Sequence, residues 1–195
     1  MNNAEDIVNR RIAKFEKVSY EQFLKDTMDT FQLLDIHEKY VKDMYDNIKL
    51  PKRATAGSAG YDFFSPVDFE LKPGETIKIP TGIRCEMNND WVLQIFPRSG
   101  LGFKYRCQLD NTVGIIDSDY FYSDNEGHIF IKITNDTKVK YDDYIADISK
   151  MPRKKIEIKR GEGFAQGIFL PYGLTVDDDC TGVRNGGFGS TDRKE

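Results

Sequence analysis

Two short stretches of the sequence carry the residue types best suited to chemistry. Residues 97–102 read Pro-Arg-Ser-Gly-Leu-Gly, a predicted turn with an arginine and a hydroxyl, and residues 114–120 read Gly-Ile-Ile-Asp-Ser-Asp-Tyr. Glycine lets the backbone approach a ligand closely, and backbone N–H groups with Arg98 and Ser99 can hold an anion. An apolar strand that ends in carboxylates and a phenol complements such a turn. Together they suit a nucleotide ligand attacked by water.

Asp117 and Asp119 are candidates for proton transfer. They lie two residues apart at the predicted end of the strand, so we expect both side chains on one face. Two like charges need a positive group, water or a cation to balance them. A carboxylate beside a phosphate ester can take a proton from an attacking water. The acidic set is too small for an all-protein Mg²⁺ site, so we expect the metal to arrive on the substrate's phosphates.

Three other residues suit recognition of the rest of a nucleotide. The ring of Tyr120 could pack against a sugar and exclude an extra hydroxyl, although a half-buried sheet aromatic is the simpler interpretation of the ring alone. The amide of Asn111 matches a pyrimidine edge, whereas an Asx turn is the more common role of such a residue. Phe188 lies between glycines in Gly-Gly-Phe-Gly, which favours a ring that closes over a ligand.

The elements that must position these residues are mostly predicted strands. Short β-type runs alternate with turn signals after residue 52, which predicts an all-β sandwich, jelly roll or barrel. The predicted strands are residues 68–71, 76–80, 83–87, 91–96, 113–116, 128–134, 155–159 and 164–171.

The chain is predicted to have three parts. Apolar residues at helical spacing predict two or three helices over residues 4–48, with a capping box at Ser19 and Gln22 and Asp35 as a further cap. We therefore divide the chain into a helical extension, a β domain with a surface insertion, and a flexible C-terminal arm. These parts span residues 1–50, 51–176 with the insertion at 135–154 and a short helix at 141–150, and 177–195.

The composition indicates a folded soluble protein. The chain has 195 residues, 39% of them hydrophobic and 31% charged, without an apolar run long enough to span a bilayer. Because residues 1–11 also lack the apolar segment of a secretory signal, we expect a cytoplasmic protein without membrane contact. The net charge of −4 gives no general attraction for nucleic acid. An anionic substrate needs local positive charge, which Arg98, Arg184 and Arg193 could supply.

Cysteine and histidine usage narrows the chemistry further. Cys85, Cys107 and Cys180 are widely spaced and form no Cys-x-x-Cys motif, which is typical of free thiols in a reducing compartment. His37 and His128 are the only histidines, so a histidine-rich metal site or a Ser-His-Asp triad has little to draw on.

Five segments, in order along the chain, resemble the trimeric dUTP pyrophosphatase (dUTPase) family. They are residues 56–63, 97–102, 111–120, 161–171 and 184–191. The resemblance implies a mainly β fold, a dUTPase-type jelly roll to which this chain adds its N-terminal α-helical extension. It also implies a homotrimer whose active sites lie between subunits, each completed by a neighbour's C-terminal arm. The implied reaction is Mg²⁺-dependent hydrolysis of dUTP to dUMP and pyrophosphate by water attack on the α-phosphorus, which keeps uracil out of DNA and supplies dUMP.

The resemblance also implies roles for individual residues. Asp117 matches the aspartate that activates the attacking water, and Asp62 matches the acidic residue that orders water around the metal. Tyr120 matches the ring that excludes the ribose 2′-hydroxyl, and Phe188 matches the ring that closes over uracil. The uracil-reading segment is matched by Asn111 and the backbone of Gly114, Ile115 and Ile116. The phosphate-contacting positions are matched by Arg98, Ser99, Gly100 and Gln166, and by Arg184, Gly189 and Ser190 in the C-terminal segment.

The chain departs from the family pattern at several places. Gly163 stands where the family commonly has an arginine, in Gly-Phe-Ala-Gln instead of Arg-Ile-Ala-Gln. Arg184 lies one residue nearer to Phe188 than in many members. Extra residues follow Tyr120, and the connection after residue 135 is long. Together with the N-terminal helices, these insertions are what we expect of a viral or phage member.

Two other functions stay open at this point. One is a dCTP deaminase, or the bifunctional relative, which has the same fold. In those relatives the second segment resembles Arg-Ser-Ser, whereas this chain has Arg98, Ser99 and Gly100 there. The zinc deaminases are disfavoured because the chain has no His-x-Glu with Pro-Cys-x-x-Cys. The chain could also be a nucleotide-gated regulator that binds a protein partner through the insertion or the N-terminal helices, alongside catalysis.

Overall fold

The computed structural model describes residues 11–34, 37–138, 154–184 and 186. The strands are β1 Ala13–Lys17, β2 Lys52–Arg53, β3 Tyr61–Phe64, β4 Phe69–Leu71, β5 Thr76–Pro80, β6 Ile83–Met87, β7 Trp91–Pro97, β8 Cys107–Leu109, β9 Gly114–Ile116, β10 Phe130–Asn135, β11 Ile156–Ile158 and β12 Gly163–Pro171. The helices are α1 Tyr20–Phe31, α2 Glu38–Asp46 and α3 Ser99–Tyr105, with a 3₁₀ helix at Ser118–Tyr122. The predicted helix at 141–150 and the predicted cap Asp35 lie outside the described residues.

The strands form the jelly-roll-type β fold that the sequence predicts. A five-stranded sheet has the order β2-β3-β12-β7-β9, and a three-stranded sheet has the order β5-β10-β8. The remaining strands pair as β1 with β6 and β4 with β11, and every pairing is antiparallel. Alternate residues of β10 point into the core, where Ile131 and Ile133 join Leu93 and Ile95 of β7 in one buried cluster.

The helix predicted at the start of the chain is wrong for residues 13–17. These residues form β1, which pairs with β6 so that Phe15 lies opposite Cys85. Phe15 packs against the rings of Tyr61, Phe63 and Phe169 at centroid distances of 5.4–5.7 Å. Phe15 is flanked by the charged residues Lys14 and Glu16, an alternation that also fits the two-residue period of a strand. The backbone of β6 pairs with the backbone of this strand.

The following helices form as predicted and pack on the β domain. The Ser19 hydroxyl caps α1 by accepting a hydrogen bond from the Gln22 amide at 3.1 Å. Phe23 of α1 and Val41 of α2 are buried in the same cluster as the strands. Gly82 leaves room for Phe23 and for Ile48, which follows α2, since a Cβ there would lie 2.3 Å from Cδ1 of Ile48 and 3.1 Å from Phe23. The extension therefore shares the core of the β domain.

Two local predictions around the site are also wrong. The Arg98–Gly102 stretch is not a simple turn, because Arg98 accepts the first backbone bonds of helix α3, from Leu101 and Gly102. Asp117, Asp119 and Tyr120 do not continue a strand. Strand β9 ends at Ile116, and the chain then enters the 3₁₀ helix, so strand alternation does not orient the two carboxylates. None of the helices among the described residues has the length and apolar character needed to cross a membrane.

The three cysteines behave as the sequence predicts for free thiols. Cys85 and Cys107 are buried, whereas Cys180 is exposed. Burial raises the pKa of Cys85 to about 12 and that of Cys107 to about 11, so both stay protonated at neutral pH.

Candidate active site

A cleft of about 500 Å³, here called the hairpin cleft, lies beside β9. Among the residues that line it are Asn111, Gly114, Ile115, Ile116, Asp117, Tyr120 and Arg184. Strand β9 is the last strand of its sheet, so one edge of its backbone faces away from β7. Its N–H and C=O groups on that edge are suited to pair with the polar edge of a planar ligand.

The turn that leads into β9 is tight and close to the core. Thr112 adopts a φ of +66°, and the Val113 amide donates to the Asn111 carbonyl at 2.7 Å. Gly114 then passes against β7, where a Cβ would lie 3.0 Å from Cβ of Ile95. A larger residue would push the strand outward, and the glycine therefore fixes the floor of the hairpin cleft. Asn111 is exposed at the turn.

Arg184 supplies the positive group that the two carboxylates require. Its Nε donates to Oδ1 of Asp119 at 2.9 Å, and an Nη donates to Oδ2 of Asp117. The Arg184 side chain is only 20% exposed, although it comes from the C-terminal segment. Its guanidinium carbon lies 6.0 Å from the centre of the Tyr120 ring. The predicted site residues Phe188, Gly189 and Ser190 lie outside the described residues.

Tyr120 is a fixed wall of the hairpin cleft. Its ring is buried, its hydroxyl donates to the His128 carbonyl at 2.8 Å, and it accepts from the Asn125 amide at 2.8 Å. Burial raises the pKa of Tyr120, against the opposing effects of Asn125 and Arg184, and the phenol stays neutral. Sequence reasoning missed the roles of Asn125 and His128, whose only signal was the extra Asp-Asn-Glu-Gly turn at residues 124–127, which contains Asn125 and precedes His128.

A second cleft of about 550 Å³, here called the arginine cleft, holds Arg98, Ser99 and Gln166. Nε of Arg98 lies 3.3 Å from Oδ1 of Asp62, and its Nη1 donates to the Gly163 carbonyl at 3.2 Å. Gln166 lies opposite Asp62 in the pairing of β12 with β3. Predicted residues that are distant in sequence therefore meet here.

Two glycines of this region, Gly163 and Gly100, have different surroundings. A Cβ at Gly163 would lie 3.0 Å from Nη1 of Arg98, so the Arg98 side chain packs closely against this glycine. A Cβ at Gly100 would meet nothing within 4 Å, and the backbone there faces open space. Phe103, which also lines the arginine cleft, is 94% exposed.

The predicted site residues thus divide into two sets. Within the part of the chain that the structure describes, the hairpin cleft and the arginine cleft share no lining residue. One set could read a base and sugar and carries Asp117, whereas the other could hold phosphates.

Comparisons with known proteins point to one family. A model of the dUTPase family matches residues 46–192. The deoxyuridine 5′-triphosphate nucleotidohydrolase of Lactococcus lactis subsp. lactis (strain IL1403) is 38% identical over 148 residues, which are 74% of this chain and 88% of that protein. The corresponding protein of Desulfitobacterium hafniense (strain DSM 10664 / DCB-2) is 38% identical over 151 residues, 73% of this chain and 87% of that protein.

Solved structures give the same result. The dUTPase from Streptococcus mutans has a TM-score of 0.55 and 30% identity, covering 83% of this chain and 97% of its own. The dUTPase from phage phi11 of S. aureus has a TM-score of 0.53 and 25% identity, covering 74% of this chain and 94% of its own. On the family match and these relatives, the chain belongs to the dUTPase family.

Proposed function

We propose that this protein hydrolyses dUTP to dUMP and pyrophosphate, with Asp117 as the general base. One observation carries the proposal. Asp117 directly follows the open edge of β9 and lines the same cleft as the fixed ring of Tyr120. A base, a sugar and a reacting phosphate are covalently joined in that order, and the hairpin cleft offers a matching group for each.

Base recognition rests on the backbone of β9 and on Asn111. Uracil presents a carbonyl oxygen where cytosine presents an amino group. A fixed backbone edge that pairs with uracil would leave buried groups unpaired against cytosine, which costs affinity. The tight approach of Gly114 to Ile95 leaves the edge little freedom to adapt. Phe188 completes the proposed pocket by closing over the ring.

Sugar selection rests on Tyr120. Because its hydroxyl is held by His128 and Asn125, the ring is not free to rotate away from an added 2′-hydroxyl. Deoxyribose fits against the ring face, and ribose does not. We expect UTP to be a poor substrate for this reason.

The chemical step needs a free carboxylate at Asp117. In the structure Arg184 is hydrogen-bonded to it, so Arg184 must release Asp117 before the carboxylate takes a proton from water. A triphosphate offers Arg184 a more highly charged partner. We infer that Arg184 leaves the two aspartates and donates to phosphate oxygens instead. Gly189 and Ser190 supply further hydrogen-bond donors to the same phosphates.

The remaining phosphate contacts come from the arginine cleft of another copy. Arg98, Ser99, the Gly100 backbone and Gln166 supply these donors. On one chain Arg98, Ser99 and Gln166 line a different cleft from Asp117. The highly exposed Phe103 beside them supports burial of this surface against a second copy. We propose a homotrimer with three such shared sites.

Asp62 fits a water-mediated contact to Mg²⁺. Among the described residues, no group of three His, Cys, Asp or Glu side chains could hold a metal ion. A lone carboxylate beside a phosphate-binding arginine suits an Mg²⁺ that keeps waters and is bound mainly by the triphosphate. When bound, Mg²⁺ neutralises charge that develops on the phosphates. We place the reaction in the cytoplasm.

The test is a pyrophosphate-release assay with Mg²⁺ across dUTP, dCTP, dTTP, dATP, dGTP and UTP, with analysis of the products. We expect dUTP alone to be cleaved efficiently and dUMP to be the nucleotide product. Release of deoxyuridine nucleotides from dCTP would instead identify a deaminase or the bifunctional relative. Intact dUTP would contradict the proposal. A protein partner bound through the insertion or the N-terminal helices stays a separate prediction.

A further inference from the structure

The N-terminal helix α1 is hydrogen-bonded to the loop that holds Tyr120. Asp26 of α1 lies with Oδ2 2.6 Å from Nδ1 of His128, and the His128 side chain is fully buried. The two residues are far apart in sequence. This contact joins the extension to the segment between the 3₁₀ helix and β10.

The ring of His128 has a defined role in this contact. The Gly82 amide donates to Nε2 at 2.8 Å, so Nε2 carries the lone pair. Nδ1 therefore carries the proton and donates to the Asp26 carboxylate. Burial raises the pKa of Asp26, but hydrogen bonds from His128 and Gln22 outweigh it and bring the pKa below its ordinary value. Because both ring nitrogens have partners, the pair serves to fix a position and not to transfer a proton.

The main-chain carbonyl of His128 connects this contact to Tyr120. The Tyr120 hydroxyl donates to the His128 carbonyl at 2.8 Å. The loop between them is tight, since Gly127 has a φ of +70° and a Cβ there would lie 2.7 Å from Cα of Phe121. A shift of His128 therefore moves the acceptor that orients the Tyr120 ring.

A second contact supports the same loop from the start of α1. The backbone amide and the hydroxyl of Ser19 both donate to the Glu126 carboxylate, at 2.7 and 2.6 Å. Glu126 thus takes the reciprocal place of a capping box from outside the helix. The hydrogen bonds of Asp26 with His128 and of Ser19 with Glu126 therefore attach α1 firmly to this loop.

We propose that Asp26 is a positioning residue for sugar selection, acting through His128 on the Tyr120 ring. This inference rests on the proposed function. The N-terminal extension then contributes to discrimination between deoxyribose and ribose, although none of its described residues, 11–34 and 37–50, lines the hairpin cleft. A purely structural role for Asp26 would change stability but leave the preference for dUTP over UTP unaltered.

The test compares kcat/KM for dUTP and UTP in the full-length protein. Asp26→Ala should reduce the dUTP-to-UTP ratio by about tenfold, since the ring loses its fixed orientation. Asp26→Asn keeps an acceptor for Nδ1–H and should recover most of the loss. Asp29→Ala, at an exposed position of the same helix, is the matched control and should keep the wild-type ratio.

A double-mutant cycle adds a second criterion. Tyr120→Phe removes the hydroxyl that donates to His128, so Asp26→Ala should cause little further loss of the ratio in that background. Fully additive effects, or an unchanged ratio in a folded Asp26→Ala protein, would overturn the proposal. If Asp26→Ala does not fold, Asp26→Glu displaces the carboxylate by one methylene and should lower the ratio about threefold. An unchanged dUTP-to-UTP ratio in Asp26→Glu would also overturn the proposal.

Hydrogen exchange separates this inference from the proposed function. Amides of residues 118–128 should exchange faster in Asp26→Ala than in Asp29→Ala, without any nucleotide. Unchanged exchange would overturn the positioning contact even in an active enzyme. If the wild-type protein leaves dUTP intact while exchange rises as expected, the proposed reaction is wrong and the link from α1 to Tyr120 stands.

Discussion

At the scale of single residues, the site depends on groups whose partners are distant in the sequence. Asp117, Tyr120 and Asn111 are recognisable in the sequence because they cluster within ten residues at a turn and a strand. Asp26 and His128 are not recognisable, because only the packing of α1 brings them together. Arg184 was not predicted as the partner of the two aspartates, because it lies 65 and 67 residues away and its resemblance to a phosphate-contacting position was its only signal.

Replacement of Asp117 by asparagine should abolish most of the turnover and leave the fold intact. Asparagine can still accept a hydrogen bond from Arg184, but it does not take a proton from water. We expect kcat for dUTP to fall by about 10²–10⁴-fold, measured by pyrophosphate release. Asp119→Asn is the control, since it makes the same change at the second carboxylate that Arg184 contacts but retains the base. Equal losses in the two variants would contradict the assignment.

The Asp26 carboxylate should make stability depend on pH. Its pKa in the folded protein lies below the ordinary value of 3.8, so its stabilising effect is complete well above that pH. The effect is lost as the pH falls through the folded pKa. We expect the difference in Tm between the wild type and Asp26→Asn to be constant from pH 7 to about pH 5 and to shrink below about pH 4. A difference that stays constant down to pH 3 in calorimetry would refute this linkage.

At the scale of elements, strands with clear alternation and turn signals were predictable, whereas some short or unusually partnered strands were not. Strands β5, β6 and β7 lie within a residue of their predicted bounds. Strand β1 was missed because Ile12 and Phe15 also fit a helical spacing, and its partner β6 lies far along the chain. Strands β2 and β8, with two and three residues, carry too little pattern to detect.

Gly82 tests how firmly the helices are packed on the β domain. Gly82→Ala forces a side chain into a left-handed conformation, φ +72°, and against Ile48 and Phe23. We expect a loss of about 2–4 kcal/mol in the free energy of unfolding, measured with urea. Gly74→Ala is the matched control, because φ is +84° and a Cβ there meets no atom within 4 Å. Similar losses in both variants would mean that the extension packs loosely at this point.

At the scale of the whole molecule, one chain carries two clefts that share no lining residue among the described residues, and we propose that each is half of a site. The hairpin cleft contains Asp117 and Tyr120, whereas the arginine cleft contains Arg98 and Gln166. Residue types in the sequence indicated both sets, but the location of the sites between subunits followed only from family resemblance, since no spacing along a chain reveals which copy contributes a residue. The separation of the clefts is independent structural support.

Mixed oligomers test this division directly. Asp117→Asn and Arg98→Ala subunits should each be nearly inactive alone. After joint refolding in equal amounts, about a quarter of the sites should combine an intact Asp117 from one chain with an intact Arg98 from the next. Pyrophosphate release from dUTP should return to a corresponding fraction of the wild-type rate. If each site is built from a single chain, the mixture will stay inactive.

The exposed Cys180 lies four residues before Arg184, whereas the other two thiols are buried and have raised pKa values. A maleimide dye should therefore label the unmodified protein at one place, on the segment that brings Arg184 to the aspartates. Fluorescence anisotropy of that dye would report, in real time and without mutagenesis, whether the segment tightens when nucleotide binds.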